Sequence, residues 1–185
     1  MPQGKWIKSG WGKLAWRSCE LCAVALRTID LTLSGVKLHE FNAETWLPQP
    51  PELVFPFFGE AANLDAITPP WLDFKITTPP PIVMREGTLI DYRLRLHGVP
   101  LRWRTRISAW EPPFRFVDEQ LRGPYRLWIH EHTFTAERGG TLARDHIRYA
   151  VPFDWLVHRW LVRPDLERIF AHRLTVMARH FRLPA

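Results

Sequence analysis

Residues 123–152 read GPYRLWIHEHTFTAERGGTLARDHIRYAVP and contain two alternating runs joined at Arg138-Gly139-Gly140. Glycine adopts φ > 0 without steric cost, so this turn predicts a β-hairpin. If Arg138 and Gly139 are the two central residues, Glu137 pairs with Gly140. The cross-strand pairs are then Trp128 with Tyr149, His130 with Ile147, His132 with Asp145, and Phe134 with Ala143.

These paired residues predict the wall of a ligand cavity. Side chains alternate between the two faces of a strand, so all of them lie on one face of the hairpin. That face combines aromatic and aliphatic groups with two imidazoles and a carboxylate. A core omits such polar groups because burying them unpaired is costly. A solvent-exposed face does not need Trp, Phe and Ile, whereas a ligand cavity uses both kinds of group.

The composition is that of an ordinary globular domain. The chain has 185 residues, of which 46% are hydrophobic and 24% charged, so one domain with a substantial core is expected. No apolar run is long enough to cross a bilayer. The only cysteines are Cys19 and Cys22, which fits a reducing cytoplasm and argues against a disulfide framework. Their spacing within Cys19-Glu20-Leu21-Cys22 is attributed to chance, since a second pair for zinc is missing.

Residues 1–35 differ from the rest and are predicted to be a leader outside the domain. Lys5, Lys8, Lys13 and Arg17 precede a mildly apolar stretch that Glu20 and Arg27 interrupt, so a signal peptide is not indicated. Three interpretations stay open: a disordered leader, a basic Trp-bearing helix on a membrane surface, and a segment not normally made. The last follows because bacterial genes can start at a GTG codon and Val36 opens the orderly pattern.

From Val36 onward the pattern predicts an α+β domain over residues 36–185. Strands are expected at 36–47, 72–77, 88–97, 101–110 and 114–122 and in the hairpin, with short helices at 52–58 and 60–67. The last element, 154–182, is a long helix that Pro164 restarts. Its apolar residues at helical spacing are Leu156, Trp160, Leu166, Ile169, Phe170, Leu174, Met177 and Phe181. A seven-stranded antiparallel sheet curved around this helix leaves a cavity between them, which is the helix-grip architecture.

Several segments resemble the SRPBCC (START-like, birch-pollen-allergen-like) superfamily, in particular its bacterial cyclase/dehydrase or ligand-binding branch. They are FFGEAANL (57–64), ITPPWL (67–72), GTLIDY (87–92), WEPP (110–113), GPY (123–125), WIHEH (128–132) and PDLERIF (164–170). The resemblance implies the same helix-grip fold. Its members bind lipids, polyketides, isoprenoid quinones or hormones, and some cyclise polyketides, so the fold does not fix the function.

The predicted partner is an apolar or amphipathic small molecule, and no cofactor is expected. The predicted ligand-binding residues are Tyr92, Trp103, Glu119, Trp128, His130, His132, Phe134, Asp145 and Tyr149. The aromatic members supply apolar wall, while the histidines and Asp145 orient a polar end. Glu119 faces inward by counting across the Gly123-Pro124 turn. A one-residue bulge would replace it with Asp118 and Gln120.

The two histidines and Asp145 allow several kinds of chemistry. Two imidazoles and a carboxylate are a recognised metal set, but a hydrogen-bonding patch in the cavity is favoured and a structural His–Asp pair is the third interpretation. A cyclase or dehydrase would use His132 with Asp145 as its acid–base pair, and Tyr92 could polarise a carbonyl. A non-catalytic binding protein is the first interpretation and this enzyme the second.

A third functional interpretation is an interaction module. Alternation places a stripe of arginines on the outer face of two adjacent strands: Arg93, Arg95, Arg102, Arg104 and Arg106. Such a stripe could meet nucleic acid, anionic lipid or an acidic partner. A solvated sheet face balanced by Asp91 and Glu111 is favoured, because no aromatic residues interleave with the arginines. The net charge of +6 divides evenly between residues 1–35 and the rest, so no nucleic-acid partner is expected.

Overall fold

The computed structural model describes residues 30–33 and 36–181, which form one antiparallel sheet and a helical layer. The elements in chain order are β1 (Asp30–Leu33), β2 (Val36–Leu47), α1 (Pro51–Gly59), α2 (Asn63–Ala66), a 3-10 helix (Pro70–Leu72), β3 (Lys75–Ile76), β4 (Leu89–Leu96), β5 (Val99–Glu111), β6 (Arg115–Arg122), β7 (Leu127–Glu137), β8 (Gly140–Ala150), α3 (Asp154–Val157), a π-helical turn (His158–Val162) and α4 (Arg163–His180). Among these described residues, no helix is long and apolar enough to span a membrane.

The sheet order is β1-β2-β8-β7-β6-β5-β4-β3, with every neighbouring pair antiparallel. The first long strand, β2, therefore lies beside the last strand, β8. Helices α1 and α2 carry the chain from β2 to the opposite edge at β3, and the following strands return across the sheet one by one. The predicted strands are all present, and the helix-grip fold is confirmed.

The sheet begins earlier than predicted. Asp30–Leu33 were predicted to belong to the leader, but these residues form β1 and pair with β2, with Leu33 opposite Val36. The strand adds an edge to the sheet on the N-terminal side of the predicted boundary at Val36. The other residues of the predicted leader, 1–29 and 34–35, lie outside the described residues, and Cys19 and Cys22 are among them.

Burial along β2 follows the alternation of its sequence. The buried side chains are His39, Phe41, Ala43, Thr45 and Leu47, and the residues between them are less buried. This period of two is what a strand with one covered face requires. The inner face packs on α4, where the Phe41 and Phe170 ring centroids lie 5.0 Å apart.

The long C-terminal helix covers the sheet with a narrower stripe than predicted. Leu166, Phe170, Arg173 and Met177 of α4 are buried. Leu156 and Trp160, predicted on the same stripe, are 53% and 70% exposed. The π-helical turn before Arg163 holds more residues per turn than an α-helix, so the positions preceding it do not continue the α4 stripe.

Candidate functional site

A cavity of about 210 Å³ lies between α4 and the sheet. Strands β4 and β5 contribute Tyr92 and Trp103 to its wall, and β7 contributes Trp128, His130 and His132. Helix α4 closes the other side with Leu166, Ile169, Phe170 and Arg173. The cavity is mostly apolar with one polar region, as binding sites for small molecules usually are.

The β7–β8 hairpin positions the histidines as predicted. Arg138 and Gly139 both have positive φ, as a two-residue turn of this kind requires, and Glu137 lies opposite Gly140. The predicted cross-strand pairs are all present, including His132 with Asp145. The alternation of β7 therefore directs Trp128, His130 and His132 to the inner face of the sheet.

The aromatic part of the wall is held by ring contacts and by one shared hydroxyl. Trp103 stacks on Tyr92 at 5.8 Å between ring centroids and meets Trp128 edge-on at 5.4 Å. Thr105 Oγ1 accepts a hydrogen bond from Trp103 Nε1 at 3.0 Å and lies 3.2 Å from the Tyr92 hydroxyl. Burial, with the nearby Asp118 carboxylate, holds the pKa of Tyr92 well above its usual range. The Tyr92 phenol is therefore neutral and already paired.

The polar part is a closed ring of two imidazoles and two carboxylates, here called the His–Asp cluster: Asp118, His130, His132 and Asp145. Asp145 Oδ1 lies 2.8 Å from both His130 Nε2 and His132 Nδ1. Asp118 Oδ2 lies 3.1 Å from His132 Nε2 and 3.5 Å from His130 Nδ1. Each carboxylate therefore lies between the two imidazoles.

Both carboxylates of the cluster are held in the charged form. Burial on its own would raise the pKa of Asp118, but the electrostatic interactions with the two imidazoles and the hydrogen bond from His132 outweigh burial, so this pKa is lowered. Burial likewise opposes ionisation of Asp145. The positive charge of Arg173 and the hydrogen bonds from both imidazoles nevertheless bring its pKa well below the usual range.

The two imidazoles have opposite protonation preferences. Burial and the neighbouring His132 lower the pKa of His130. Burial also opposes the charged form of His132, but its hydrogen bonds to Asp118 and Asp145 are stronger influences together, so the pKa of His132 is raised. With His132 protonated and His130 neutral, the charges of His132 and Arg173 balance those of Asp118 and Asp145.

Arg173 brings a buried guanidinium to the same region of the cavity. Its side chain is 8% exposed, and its Cζ lies 5.1 Å from the centre of the Phe170 ring. Among the residues that the structure describes, Arg173 Nε has no hydrogen-bond partner. A buried guanidinium N–H normally has an acceptor, so Arg173 leaves one buried donor unsatisfied beside the cavity.

The prediction for Glu119 is wrong. The β6–β7 register pairs Asp118 with His130 and Glu119 with Ile129, one residue away from the predicted register. Glu119 therefore points to the outer face, where its Oε2 accepts a hydrogen bond from Arg106 Nη2 at 2.8 Å. Nine residues, 120–128, separate the paired Glu119 and Ile129, whereas the assumed two-residue turn leaves eight between Glu119 and Trp128, and the extra residue shifts the register by one.

Three other predicted residues lie beside the cavity but not in its wall. Phe134 packs in the core against Phe58, with 4.9 Å between ring centroids. Tyr149 is fully buried and its hydroxyl lies 3.0 Å from His158 Nε2. Asp145 belongs to the His–Asp cluster and contacts the histidines instead of the cavity. Tyr149 and Asp145 lie on β8, and Phe134 lies on β7.

The family described as "Polyketide cyclase / dehydrase and lipid transport" matches residues 47–178, well over half of the chain. The chain belongs to this family. The matched range contains the cavity, the His–Asp cluster and most of α4. No curated protein matches the chain.

Several solved structures share the fold of this chain, although their sequences are only distantly similar to it. Ginseng major latex-like protein 151 from Panax ginseng is 11% identical, with a TM-score of 0.61 over 80% of this chain and 99% of its own. A protein from Chromobacterium violaceum is 16% identical, with a TM-score of 0.61 over 78% and 98%. CalU16 from Micromonospora echinospora is 16% identical, with a TM-score of 0.54 over 84% and 87%. At these identities the similarity concerns the fold alone.

Within residues 36–181, two groups bring potential metal ligands within 4.8 Å of one another: Asp118 with His130 and His132, and Asp154 with His39 and His158. In the first group, both His132 nitrogens face carboxylate oxygens at hydrogen-bonding distance. That pattern suits an imidazolium, whereas a metal ligand needs a free lone pair on nitrogen. The hydrogen-bonding interpretation of the histidines is therefore the better supported one.

The arginine stripe on the outer face is largely neutralised by neighbouring carboxylates. Arg104 forms two hydrogen bonds of 2.8 Å to Asp91, and Arg106 is bound to Glu119. Arg95 lies 3.4 Å from Asp73. This pairing fits a solvated sheet face better than a docking surface, so the interaction-module interpretation gains no support here.

Proposed function

We propose that the protein binds an amphipathic small molecule of the lipid, isoprenoid or polyketide class between the sheet and α4. The observation that carries this proposal is Arg173, a buried cation in the cavity wall whose Nε has no partner among the described residues. The family description, which covers polyketide cyclases and lipid transport, supports a hydrophobic ligand.

Arg173 defines the polar end of the ligand. A buried charge is stable only when it is paired and hydrogen-bonded. Asp118 and Asp145 each already accept hydrogen bonds from imidazoles, so the guanidinium of Arg173 in the cavity wall favours an acceptor group on the ligand. A carboxylate, an enolate or a phenolic oxygen has the required chemistry.

Aromatic surface defines the apolar end. Trp103, Trp128 and Tyr125 form a continuous set of ring contacts on the cavity wall, with 5.5 Å between Trp103 and Tyr125 and 4.7 Å between Tyr125 and Trp128. The polar Nε1 of Trp103 donates a hydrogen bond to Thr105. The volume of about 210 Å³ is below that of drug-sized sites. It suits a compact ring system or one end of a longer molecule.

Two probes that differ in a single group test this assignment. 1-Anilinonaphthalene-8-sulfonate carries an anionic acceptor, and N-phenyl-1-naphthylamine has the same rings without it. We expect Arg173→Leu to weaken binding of the sulfonate probe about ten-fold or more, because a charge-assisted hydrogen bond is lost. Binding of the neutral probe should change little. Fluorescence titration measures both dissociation constants.

Arg179→Leu is the matched control, because Arg179 is an exposed arginine on the same helix. It should leave both dissociation constants unchanged. Equal affinity of wild type and Arg173→Leu for the sulfonate probe would disprove the role of Arg173. Failure of both probes to bind the wild-type cavity, with native mass spectrometry of the purified protein finding no co-purifying ligand, would disprove the binding proposal itself.

A polyketide cyclase or dehydrase is the second candidate, and the geometry of His130 favours it. Asp145 orients His130 through Nε2, Nδ1 lies 3.5 Å from Asp118 Oδ2, and the lowered pKa keeps the imidazole neutral. A neutral, oriented imidazole in the cavity wall has the chemistry of a general base. His132 was the predicted base, but its raised pKa favours the imidazolium, so His130 is the better candidate.

The enzyme candidate makes a separate prediction on poly-β-keto substrates. We expect His130→Gln to reduce turnover about a hundred-fold or more, since general-base catalysis contributes on that order. His132→Ala should also impair turnover because it removes the cation that balances Asp118 and Asp145. Turnover that survives both substitutions would exclude acid–base catalysis by this cluster.

We also place the protein in the cytoplasm. The support is compositional, since Cys19 and Cys22 are the only cysteines in the chain. Fractionation of cells that produce the protein tests this location.

A further inference from the structure

The segment between β8 and α4 exposes several large apolar side chains at one end of the molecule. Their exposed fractions are 70% for Phe153, 81% for Trp155, 53% for Leu156, 70% for Trp160 and 45% for Leu161. These residues are here called the aromatic patch. Isolated exposed apolar residues are common, but a concentration of this kind within nine consecutive positions indicates an interaction surface.

Buried contacts fix the aromatic patch in place. Asp154 Oδ1 forms a hydrogen bond with His39 Nε2, and the His158 ring stacks on His39 with 3.5 Å between centroids. Val157 and Val162, on the inner side of the same segment, pack against the core cluster of β2, β8 and α4. The inner side of the segment is therefore packed against the domain. This packing holds the aromatic side chains of the outer side in place.

Two exposed arginines accompany the aromatic patch. Arg159 lies within the segment, and its guanidinium lies 5.3 Å from the Trp160 ring. Arg126 is also exposed, and its backbone N–H donates to Ala150 at the end of β8. The local carboxylates have partners of their own: Asp154 bonds with His39, Asp165 with His97, and Glu167 accepts from Arg163 at 3.1 Å.

The aromatic patch adjoins one end of the cavity. Tyr125 and Trp128 line the cavity and also pack against the core cluster that Val157 and Val162 join. Leu166 and Ile169 of α4, close behind the segment, line the cavity as well. The aromatic patch is therefore connected to the cavity wall through one shared core cluster.

We propose that the aromatic patch docks on the surface of an anionic lipid bilayer. Tryptophan and phenylalanine partition into the interface between water and acyl chains, and arginines beside them are attracted to anionic head groups. A bilayer accepts both features at once. A second copy of this surface would bring like charges together, which disfavours a symmetric dimer through the same residues. The docking does not depend on what the cavity binds.

Vesicle flotation with the full chain tests the docking. We expect the protein to float with phosphatidylcholine vesicles that contain about a third of phosphatidylglycerol and to bind pure phosphatidylcholine vesicles more weakly. The double substitution Trp155→Ala with Trp160→Ala should lower the partition coefficient about ten-fold or more, because two interfacial side chains are lost. Trp71→Ala is the matched control, since Trp71 is 52% exposed and lies outside the aromatic patch.

Three results would overturn the proposal. The first is that the full chain does not float with anionic vesicles. The second is that the double variant floats as well as wild type, which would assign binding to residues 1–29 or to the arginine stripe. The third is that sedimentation finds a dimer for the wild type and a monomer for the double variant, while both bind vesicles equally. Circular dichroism and thermal melting of each variant check that the fold is retained.

Discussion

His130 and His132 are two residues apart on β7, yet their surroundings give them opposite protonation preferences. His132 has a carboxylate oxygen within hydrogen-bonding distance of each ring nitrogen, so its charged form is favoured. His130 has one such close contact, and the charge of His132 beside it disfavours a second cation, since the ring centroids are 3.8 Å apart. One proton is therefore placed on a defined member of the pair.

The order of the two histidine titrations is a direct prediction. In the folded protein the pKa of His132 should lie above 6.5 and that of His130 below 6.5. The His132 contribution to stability is thus fully present below pH 6.5 and is lost as pH rises through its folded pKa. For His130 the sign is opposite, because its protonation below pH 6.5 costs stability. Imidazole nitrogen shifts followed by NMR across this range measure both values.

Asp145→Asn is the informative variant for these titrations. It removes the negative charge next to both imidazoles, so the pKa of His132 should fall. A His130 that titrates above His132 in wild type would contradict the charge assignment.

At the scale of elements, the two hairpins show what sequence reasoning can and cannot determine. The β7–β8 register was predicted correctly because a two-residue turn with glycine has few geometries. The β6–β7 register was wrong by one residue because the length of a Gly-Pro connection is not fixed by its sequence. That single step exchanged Glu119 for Asp118, although Asp118 had been named as the alternative. Helix α4 offered a missed signal, since Arg173 stands three residues after Phe170 on the buried stripe.

Gly140 tests how tightly the β7–β8 hairpin packs against β2. A Cβ at this position would lie 2.3 Å from the backbone oxygen of Leu47 and 2.7 Å from the Trp46 ring. We expect Gly140→Ala to lower the free energy of unfolding by about 3 kcal/mol, because backbone cannot move aside cheaply. Chemical denaturation measures the change.

Gly139→Ala is the control for the turn itself. A Cβ at Gly139 meets nothing within 4 Å, but its φ of +76° strains any L-residue. Its cost should be about 1 kcal/mol. If Gly140→Ala proves as mild as Gly139→Ala, the close approach of the hairpin to Leu47 does not contribute to stability as described.

In the whole molecule, the sheet is completed by β1, a strand whose residues were predicted to belong to the leader. Alternation and a helix stripe were enough to predict the helix-grip fold, since each long strand and the final helix has its own pattern. The four residues of β1 are too short for such a pattern to be visible. Truncation therefore tests which N-terminal residues fold together with the domain.

We expect a chain that begins at Asp30 to keep its melting temperature within a few degrees of the full chain. Trp6, Trp11 and Trp16 recur every five residues, a spacing that drifts around a helix instead of forming one docking face. Residues 1–29 should therefore add little stability. Scanning calorimetry of the two chains provides the comparison.

A third chain that begins at Val36 separates the effect of β1 from that of the preceding residues. It lacks the pairing of Asp30–Leu33 with β2 and should melt below the chain that begins at Asp30. A large drop on removing residues 1–29 alone would show that they belong to the fold. That result would also rule out the interpretation that they are not normally made.

The short strand β3 also limits how the protein can self-associate. It has only the two residues Lys75 and Ile76, so one margin of the sheet offers little continuous backbone for pairing with another chain. The neighbouring strand β4 carries the exposed arginines Arg93 and Arg95. The prolines Pro79-Pro80-Pro81, which follow β3, have no backbone N–H to donate to another strand. The molecule thus resists edge-to-edge polymerisation along this margin, which protects a strand-rich protein from amyloid-like growth.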